Sequence, residues 1–421
     1  MAKLLTLVCL LCLSQLGRTI KDENEDKLKT SAGLLNAVYF TNWGIYGGNF
    51  QPADIPVTKI SHVLYAFANL YPDGTVYPGD SYADLEKRYS GDSWDDTGKN
   101  AYGCVKQLYT LKRANRHIKL VLSIGGWTWS QNFASVAASE ETRSTFAQTA
   151  VALMKDWGFD GIDIDWEYPA SEKQGEDLLL LLQAIRQELD RYASQHANDH
   201  HFQLSIAAPA GPQHFEKLPL GKLGNVIDNF YLMAYDYAGS FSQFSGHQAN
   251  LYADDSNPNV TPFSTDAAIK AYSRSGVPPS KIILGMPIYG RSFQNTVGLG
   301  QVFTGVGGGS WEKGVWDYKV LPKLGAEVKH DGVSGAYYSY DGSSKELVTF
   351  DTTDAVLDKI QYIHKLGLGG SMFWEASADK NDTSSLIATS YSSLGNIDSS
   401  PNWLDYPTSQ YLNIATGMGL S

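Results

Sequence analysis

Between Asp160 and Glu167 the chain reads Asp-Gly-Ile-Asp-Ile-Asp-Trp-Glu. Asp163, Asp165 and Glu167 fall at alternate positions, and the residues between them, Ile162, Ile164 and Trp166, are apolar. A period of two is a strand, which puts the three carboxyls on one face and the apolar side chains on the other. Neighbours on such a face lie about 6.5–7 Å apart. A face of three acids does not fit an ordinary core, because a buried carboxylate without partners costs several kcal/mol. Either it lines a solvated cleft, or its members share protons and hydrogen bonds. Both situations perturb pKa values, and perturbed carboxyls in clefts are candidates for acid–base chemistry. Asp160 is out of phase with the other three, so it is expected to tie the strand entry to a neighbouring loop.

These acids need a scaffold. Apolar, β-rich runs lie near Ala37–Thr41, His62–Ala68, Lys119–Ile124, Gly161–Glu167, Gln203–Ala208, Asn229–Ala234, Ile282–Ile288 and Gly370–Phe373. Helical patterns fall at Thr142–Trp157, Glu176–Ala197, Thr265–Ser273 and Asp354–Lys365. Strand–helix alternation implies parallel strands with right-handed crossovers. Eight such strands predict an α/β fold, a (β/α)8 TIM barrel, whose active residues come from the C-terminal strand ends. The gap between the seventh and eighth strands is too long for one helix. Residues 293–350 are rich in Gly, Tyr and β-formers and are read as a small α+β subdomain inserted into a barrel made of 35–292 and 351–421.

The chain has 421 residues and a formal net charge of −12. That balance, with no compact Lys/Arg cluster, argues against a nucleic-acid partner and against docking on anionic membranes. A neutral partner fits better. The 10 Trp and 25 Tyr suit sugars, whose C–H faces pack on aromatic rings. The nine His form no His-x-x-x-His set, and His200-His201 is an isolated polar pair, so no metal is expected.

Lys3 followed by the apolar run Leu4–Leu13 reads as a secretory signal over residues 1–17, too short to span a bilayer. The polar stretch 18–34 reads as a propeptide or loose arm. Cys9 and Cys12 lie within the signal, which leaves Cys104 as the one thiol and no internal disulfide. Asn259-Val-Thr261 and Asn381-Asp-Thr383 are candidate N-glycosylation sites of a secreted chain.

Taken with other segments, the acidic octapeptide resembles the signature of the family 18 glycoside hydrolases, the chitinases and their relatives. The pattern Asp-x-x-Asp-x-Asp-x-Glu is matched by Asp160, Asp163, Asp165 and Glu167. Ser123-Ile-Gly125-Gly126 closes the third strand as that family's Ser-x-Gly-Gly motif does. Met233-Ala-Tyr235-Asp236, Tyr289-Gly-Arg291 and Gly370-Ser-Met-Phe-Trp374 follow at the ends of the sixth, seventh and eighth strands. The resemblance covers about residues 35–395, insertion included. It is greatest to the secreted fungal members that carry that insertion.

The resemblance implies hydrolysis of β-1,4 bonds between N-acetylglucosamine units with retention, without cofactor or metal. The N-acetyl oxygen of the substrate serves as nucleophile, which sets this family apart from the two-carboxylate scheme. Glu167 would be the general acid and later the base. Asp165 would stabilise the oxazolinium ion, Asp163 would share a proton with Asp165, and Tyr235 would hold the acetyl oxygen. Ser123 is expected to bond Asp163 from inside the barrel. Gly125 and Gly126 keep the mouth open; no Gly-x-Gly-x-x-Gly or Lys-Ser/Thr follows to make a phosphate loop. Trp374 would form the floor beneath the cleaved sugar, with Trp127 and Trp43 as stacking walls and Trp316 closing over the cleft from the insertion. Asp236 and Arg291 would bond hydroxyl and acetyl groups, or pair with each other across the mouth. Met233, Tyr39 and Phe67 sit near strand ends, where they wall the cleft or pack in the core. The implied partners are chitin and chito-oligosaccharides, with a monomer as default. An endo-β-N-acetylglucosaminidase acting on N-glycans and a non-catalytic chitin-binding lectin are the alternatives; the intact Glu167 argues against the lectin.

Overall fold

The computed structural model describes residues 33–419. The expected signal and nearly all of the expected arm lie outside the described residues. In chain order the strands are β1 (Leu35–Thr41), β2 (His62–Leu70), β3 (Val76–Pro78), β4 (Lys119–Gly125), β5 (Gly161–Asp165), β6 (Gln203–Pro209) and β7 (Asn229–Met233). Then come β8 (Ile282–Pro287), β9 (Tyr289–Phe293), β10 (Val315–Asp317), β11 (Glu327–Asp331), β12 (Ala336–Asp341), β13 (Glu346–Thr349) and β14 (Gly370–Trp374). The parallel strands β1, β14, β8, β7, β6, β5, β4 and β2 lie side by side, and β1 pairs with β2 to close the ring. This is the TIM barrel expected from the strand–helix alternation. The short β3 adds to β2 as a hairpin above the ring.

Alternation along each strand divides the core into two shells. Inward residues such as Ala37, Tyr39, Leu64, Ala66, Val121, Tyr231, Ile283 and Met372 fill the barrel. Their outward neighbours, among them Val38, Phe40, Val63, Tyr65, Leu120, Leu122, Ile162 and Ile164, pack under the helices. In β5 this places Asp163 and Asp165 inside the ring and Ile162 and Ile164 outside it.

The helices Glu140–Trp157, Glu172–His196, Thr265–Arg274 and Thr353–Leu366 match the expected segments to within a few residues. The second starts four residues earlier than its pattern suggested. Ser171 caps it by accepting from the Gln174 N–H, and Gly175 lies within its first turns, where a Cβ would lie 2.0 Å from the Lys217 carbonyl oxygen. Helices that the sequence did not announce include Gly103–Ala114 and Leu386–Leu394. The first opens on a glycine and has no capping side chain.

The insertion is a five-stranded antiparallel sheet in the order β10-β9-β13-β12-β11. Its first strand, β9, begins two residues after β8 ends, so the sheet starts at Tyr289 and grows directly off the barrel. Between Phe293 and Phe350 its helical content is one 3-10 turn, Tyr318–Val320. Phe293 and Leu347 pack with Ala238, Phe303, Tyr338 and Tyr340 into a small core between this sheet and the loop after β7. Among the described residues no helix is long and apolar enough to cross a membrane.

Candidate active site

The acids of the octapeptide separate by depth. Strand β5 stops at Asp165, so Glu167 stands on the loop beyond it rather than on the strand. The alternation continues for one more residue, and Trp166 is buried outward, stacked on Phe133 at 5.5 Å between ring centroids. Asp163 is fully buried, Asp165 almost fully, and Glu167 is half-buried at the mouth.

Parallel pairing supplies Asp163 with its partners. Ser123 of β4 and Ser205 of β6 stand in register with it on either side. Asp163 Oδ2 accepts from Ser123 Oγ (2.8 Å) and from the Tyr39 hydroxyl (2.9 Å), and Oδ1 accepts from Ser205 Oγ (2.7 Å). Burial pushes its pKa up, and the three hydroxyls pull it back. Asp163 thus takes all its hydrogen bonds from hydroxyls, and no bond joins it to Asp165. A carboxylate offers about four acceptor positions, so three donors leave one that a proton shared with Asp165 can use.

Asp165 is the opposite case. Its Oδ1 is buried and has no hydrogen-bond partner. Burial, then repulsion from Glu167 and from Asp163, holds its carboxyl well above the usual carboxylate range. Buried polar atoms are nearly always paired, so an orphaned acceptor facing the barrel axis is an opening for a donor from a ligand.

Burial also lifts the Glu167 carboxyl, to about 7. The Tyr168 hydroxyl and the Trp127 backbone N–H oppose this, while the charge of Asp236 adds to it. The Glu167 N–H donates to Ser130 Oγ (2.8 Å), which fixes the backbone at the point where the side chain turns into the mouth. Glycines 125 and 126 make room there. Both adopt positive φ (+114° and +88°). A Cβ at Gly125 would lie 2.2 Å from the Asp165 carbonyl oxygen, and one at Gly126 would lie 2.7 Å from the Phe67 ring.

An aromatic row lies beside the acids. Trp374, at the end of β14, sits 5.1 Å from Tyr39 and 5.9 Å from Phe67, centroid to centroid, with the Phe67 ring stacked on it. Trp43, 47% exposed, continues the row at 6.1 Å from Phe67. Trp127, 75% exposed, opens the 3-10 turn after Gly126. Met233 ends β7 half-buried, Tyr235 follows two residues later, also half-buried, and its ring meets Tyr289 edge-on at 6.3 Å. Asp236 takes a left-handed backbone (φ +59°) and its Oδ1 accepts from Arg291 Nε and from the Tyr289 hydroxyl, both at 2.6 Å. Arg291 and Asp236 therefore pair across the mouth.

Trp316 is placed differently from expectation. In the β9–β10 pair it opposes Gly290, whereas Asp317 and Val315 oppose Tyr289 and Arg291. Period two then puts Trp316 on the sheet face away from Tyr289 and Arg291. Its ring packs on the core under Lys323, whose Nζ lies 4.2 Å from the ring centroid. The insertion instead exposes Trp311 (65%), whose ring lies against Gly47 in the loop after β1 and whose Nε1 donates to Asp317 Oδ2 at 3.1 Å.

Asp160 lies outside the site. Its Oδ2 accepts from Lys112 Nζ and from the Leu120 N–H, both at 2.8 Å, and its Oδ1 from the Trp403 N–H at 2.9 Å. It clamps the base of β5 to the C-terminal segment. Cys104 is buried and free. Asn259 and Asn381 are exposed.

Sequence reasoning passed over Ser205, Ser130, Tyr168 and Trp311. Ser205 was the most accessible of these, as a hydroxyl in an apolar strand beside the acidic one. Tyr168 directly follows Glu167 and stacks on His214 at 4.1 Å.

The family model described as Glycosyl hydrolases family 18 matches residues 36–379. "Chitinase 1" of Aphanocladium album is 61% identical over 390 residues, covering 93% of this chain and 92% of that one. "Endochitinase 1" of Metarhizium robertsii is 60% identical over the same shares. Among solved structures, the catalytic domain of psychrophilic chitinase B from Arthrobacter TAD20 superposes with a TM-score of 0.80 at 28% identity, covering 88% of this chain and 98% of that one.

Proposed function

The chain belongs to glycosyl hydrolase family 18, and we propose that it is a secreted chitinase that cleaves β-1,4 bonds between N-acetylglucosamine units with retention at the anomeric carbon. The observation that carries this reading is the pairing of a mouth carboxyl lifted to about 7 with a deeper, buried carboxyl whose oxygen lacks a donor.

Glu167, protonated at mildly acid pH, gives its proton to the glycosidic oxygen as the C1–O bond breaks. The carbonyl oxygen of the neighbouring acetamide attacks C1 from the opposite face and forms the oxazolinium ion. The acetamide N–H meets the orphaned oxygen of Asp165, whose negative charge stabilises the positive charge developing on the ring. Asp163, held by three hydroxyls, shares a proton with Asp165, since two close carboxylates do not both ionise cheaply, and by taking that proton it leaves Asp165 charged against the ring. Tyr235 aligns the acetyl oxygen through its hydroxyl. Glu167, now a carboxylate, takes a proton from water as that water opens the oxazolinium, which restores both the acetamide and the acid.

The row Trp374–Phe67–Trp43 offers apolar faces to successive sugars, and Trp127 offers one to the leaving group. The Asp236–Arg291 pair supplies polar groups at the rim. Leu4–Leu13 serves as the signal that directs export. The deciding experiment is hydrolysis of a defined chito-oligosaccharide with anomer analysis of the first products. β-Anomers support the reading, and fresh α-anomers overturn it.

A further inference from the structure

Trp43 rides on the 3-10 turn Asn42–Ile45, which follows β1. What holds this turn lies beneath it, in the segment Tyr82–Glu86. Asp84 of that segment is fully buried. Its Oδ1 accepts from Asn42 Nδ2 at 2.9 Å and from the Tyr65 hydroxyl at 2.5 Å, and its Oδ2 accepts from the Asp80 N–H at 3.1 Å. Asp80 in turn accepts from the Tyr46 hydroxyl at 2.8 Å on the surface, so the turn is tied at both ends.

All three partners of Asp84 are neutral donors. Burying a carboxyl among neutral groups is a poor way to gain stability, since an apolar side chain of that size avoids the desolvation penalty. Burial lifts this carboxyl to about 7, and its three donors, which favour the charged form, pull against that. Each of its oxygens faces donors, whereas an amide would turn an N–H toward one of them. It thereby gathers β2, the Asn42 turn and the Asp80 backbone onto one point.

We infer that Asp84 is a positioning residue for the sugar groove: by holding Asn42 it sets the pose in which Trp43 extends the Phe67–Trp374 row. The inference rests on the chitinase reading above. It predicts a defect in gripping long chains and not in chemistry.

The test compares KM and kcat for chito-hexasaccharide and chito-trisaccharide in the parent, Trp43→Ala, Asn42→Ala, Asp84→Ala and the double variant Asn42→Ala/Trp43→Ala. Asn42→Ala is expected to raise KM for the hexasaccharide about fivefold, the order of one aromatic contact, with kcat and the trisaccharide KM changed less than about twofold. Trp43→Ala should raise the hexasaccharide KM at least as much, and the double variant should add nothing beyond Trp43→Ala. If Asp84→Ala does not fold, Asn42→Ala decides alone, because it keeps the carboxylate and its other two bonds. Variants that lose thermal stability while the KM ratio stays put overturn the inference, as does a double variant whose effects multiply. A parent that cleaves neither oligosaccharide overturns the glycosidase reading and this inference with it.

Discussion

Replacing Glu167 by Gln should make the protein more stable at neutral pH while it stops turnover. The Glu167 carboxyl is lifted from its ordinary 4.5 to about 7, chiefly by burial. The folded chain therefore holds this proton more tightly than the unfolded chain. The resulting stability is fully present at pH below 4.5, declines as pH rises, and is lost by about 7. At about 1.4 kcal/mol per pH unit, the amount lost is about 3 kcal/mol. Gln is neutral throughout and loses nothing, and its neutrality also relieves Asp165, which Glu167 repels. For a chain of this length, with an unfolding entropy of about 2 cal/mol/K per residue, about 3 kcal/mol corresponds to roughly 4 °C in Tm. The assay is a set of thermal scans of parent and Glu167→Gln at one scan rate across the acid-to-neutral range. The Tm gap should be near zero at about pH 4 and open to roughly 4 °C above pH 7. A flat gap, or one that opens toward acid, refutes the lifted carboxyl. Turnover above a few percent of the parent rate refutes Glu167 as the acid.

The same group sets the pH profile: kcat/KM of the parent should fall about tenfold per pH unit once pH exceeds the Glu167 value near 7, with a broad maximum on the acid side. Asp165→Asn should lower kcat at least about 100-fold, because an amide brings no negative charge to the oxazolinium; a loss under tenfold would remove Asp165 from the mechanism. Tyr235→Phe should cost about tenfold in kcat with little change in KM, and a change confined to KM would reduce Tyr235 to a wall residue. Fully deacetylated chitosan should not be cut, since it lacks the attacking acetyl oxygen; rapid cleavage at glucosamine-only sites would rule out substrate assistance. Lys112→Met should destabilise the fold by about 3–5 kcal/mol by stranding buried Asp160, while kcat of the folded fraction stays at the parent level; an equal loss of kcat would bring Asp160 into the site.

The sequence carried much of the architecture because periodicity is a local property. Alternation in Gly161–Asp165, and apolar runs such as Lys119–Ile124 and Ile282–Pro287, announced strands whose order the barrel preserves. The starts of Glu172–His196 and Gly103–Ala114 were less legible, and what requires a glycine near each is a distant neighbour: the Lys217 carbonyl for Gly175 and the Ala83–Asp84 backbone for Gly103. Trp316 and Trp311 differ for a similar reason. Both are tryptophans of the insertion, but the face that Trp316 takes is set by the register between β9 and β10, which composition does not encode, whereas Trp311 precedes that strand.

What the sequence determined by itself was the inventory and its phase: three acids on alternate residues, apolar partners between them, and glycines where β4 meets its loop. Those follow from bond geometry along one strand. Tertiary structure decided the depth and the company of each acid. Ser123 and Ser205 reach Asp163 only because β4 and β6 flank β5 in register. Asp165 is left short of a donor, and Glu167 is lifted, because the closed ring excludes water around the one and the mouth half-buries the other. A carboxyl's proton affinity is set by its surroundings within a few ångströms, and here those surroundings are assembled from segments far apart in the chain.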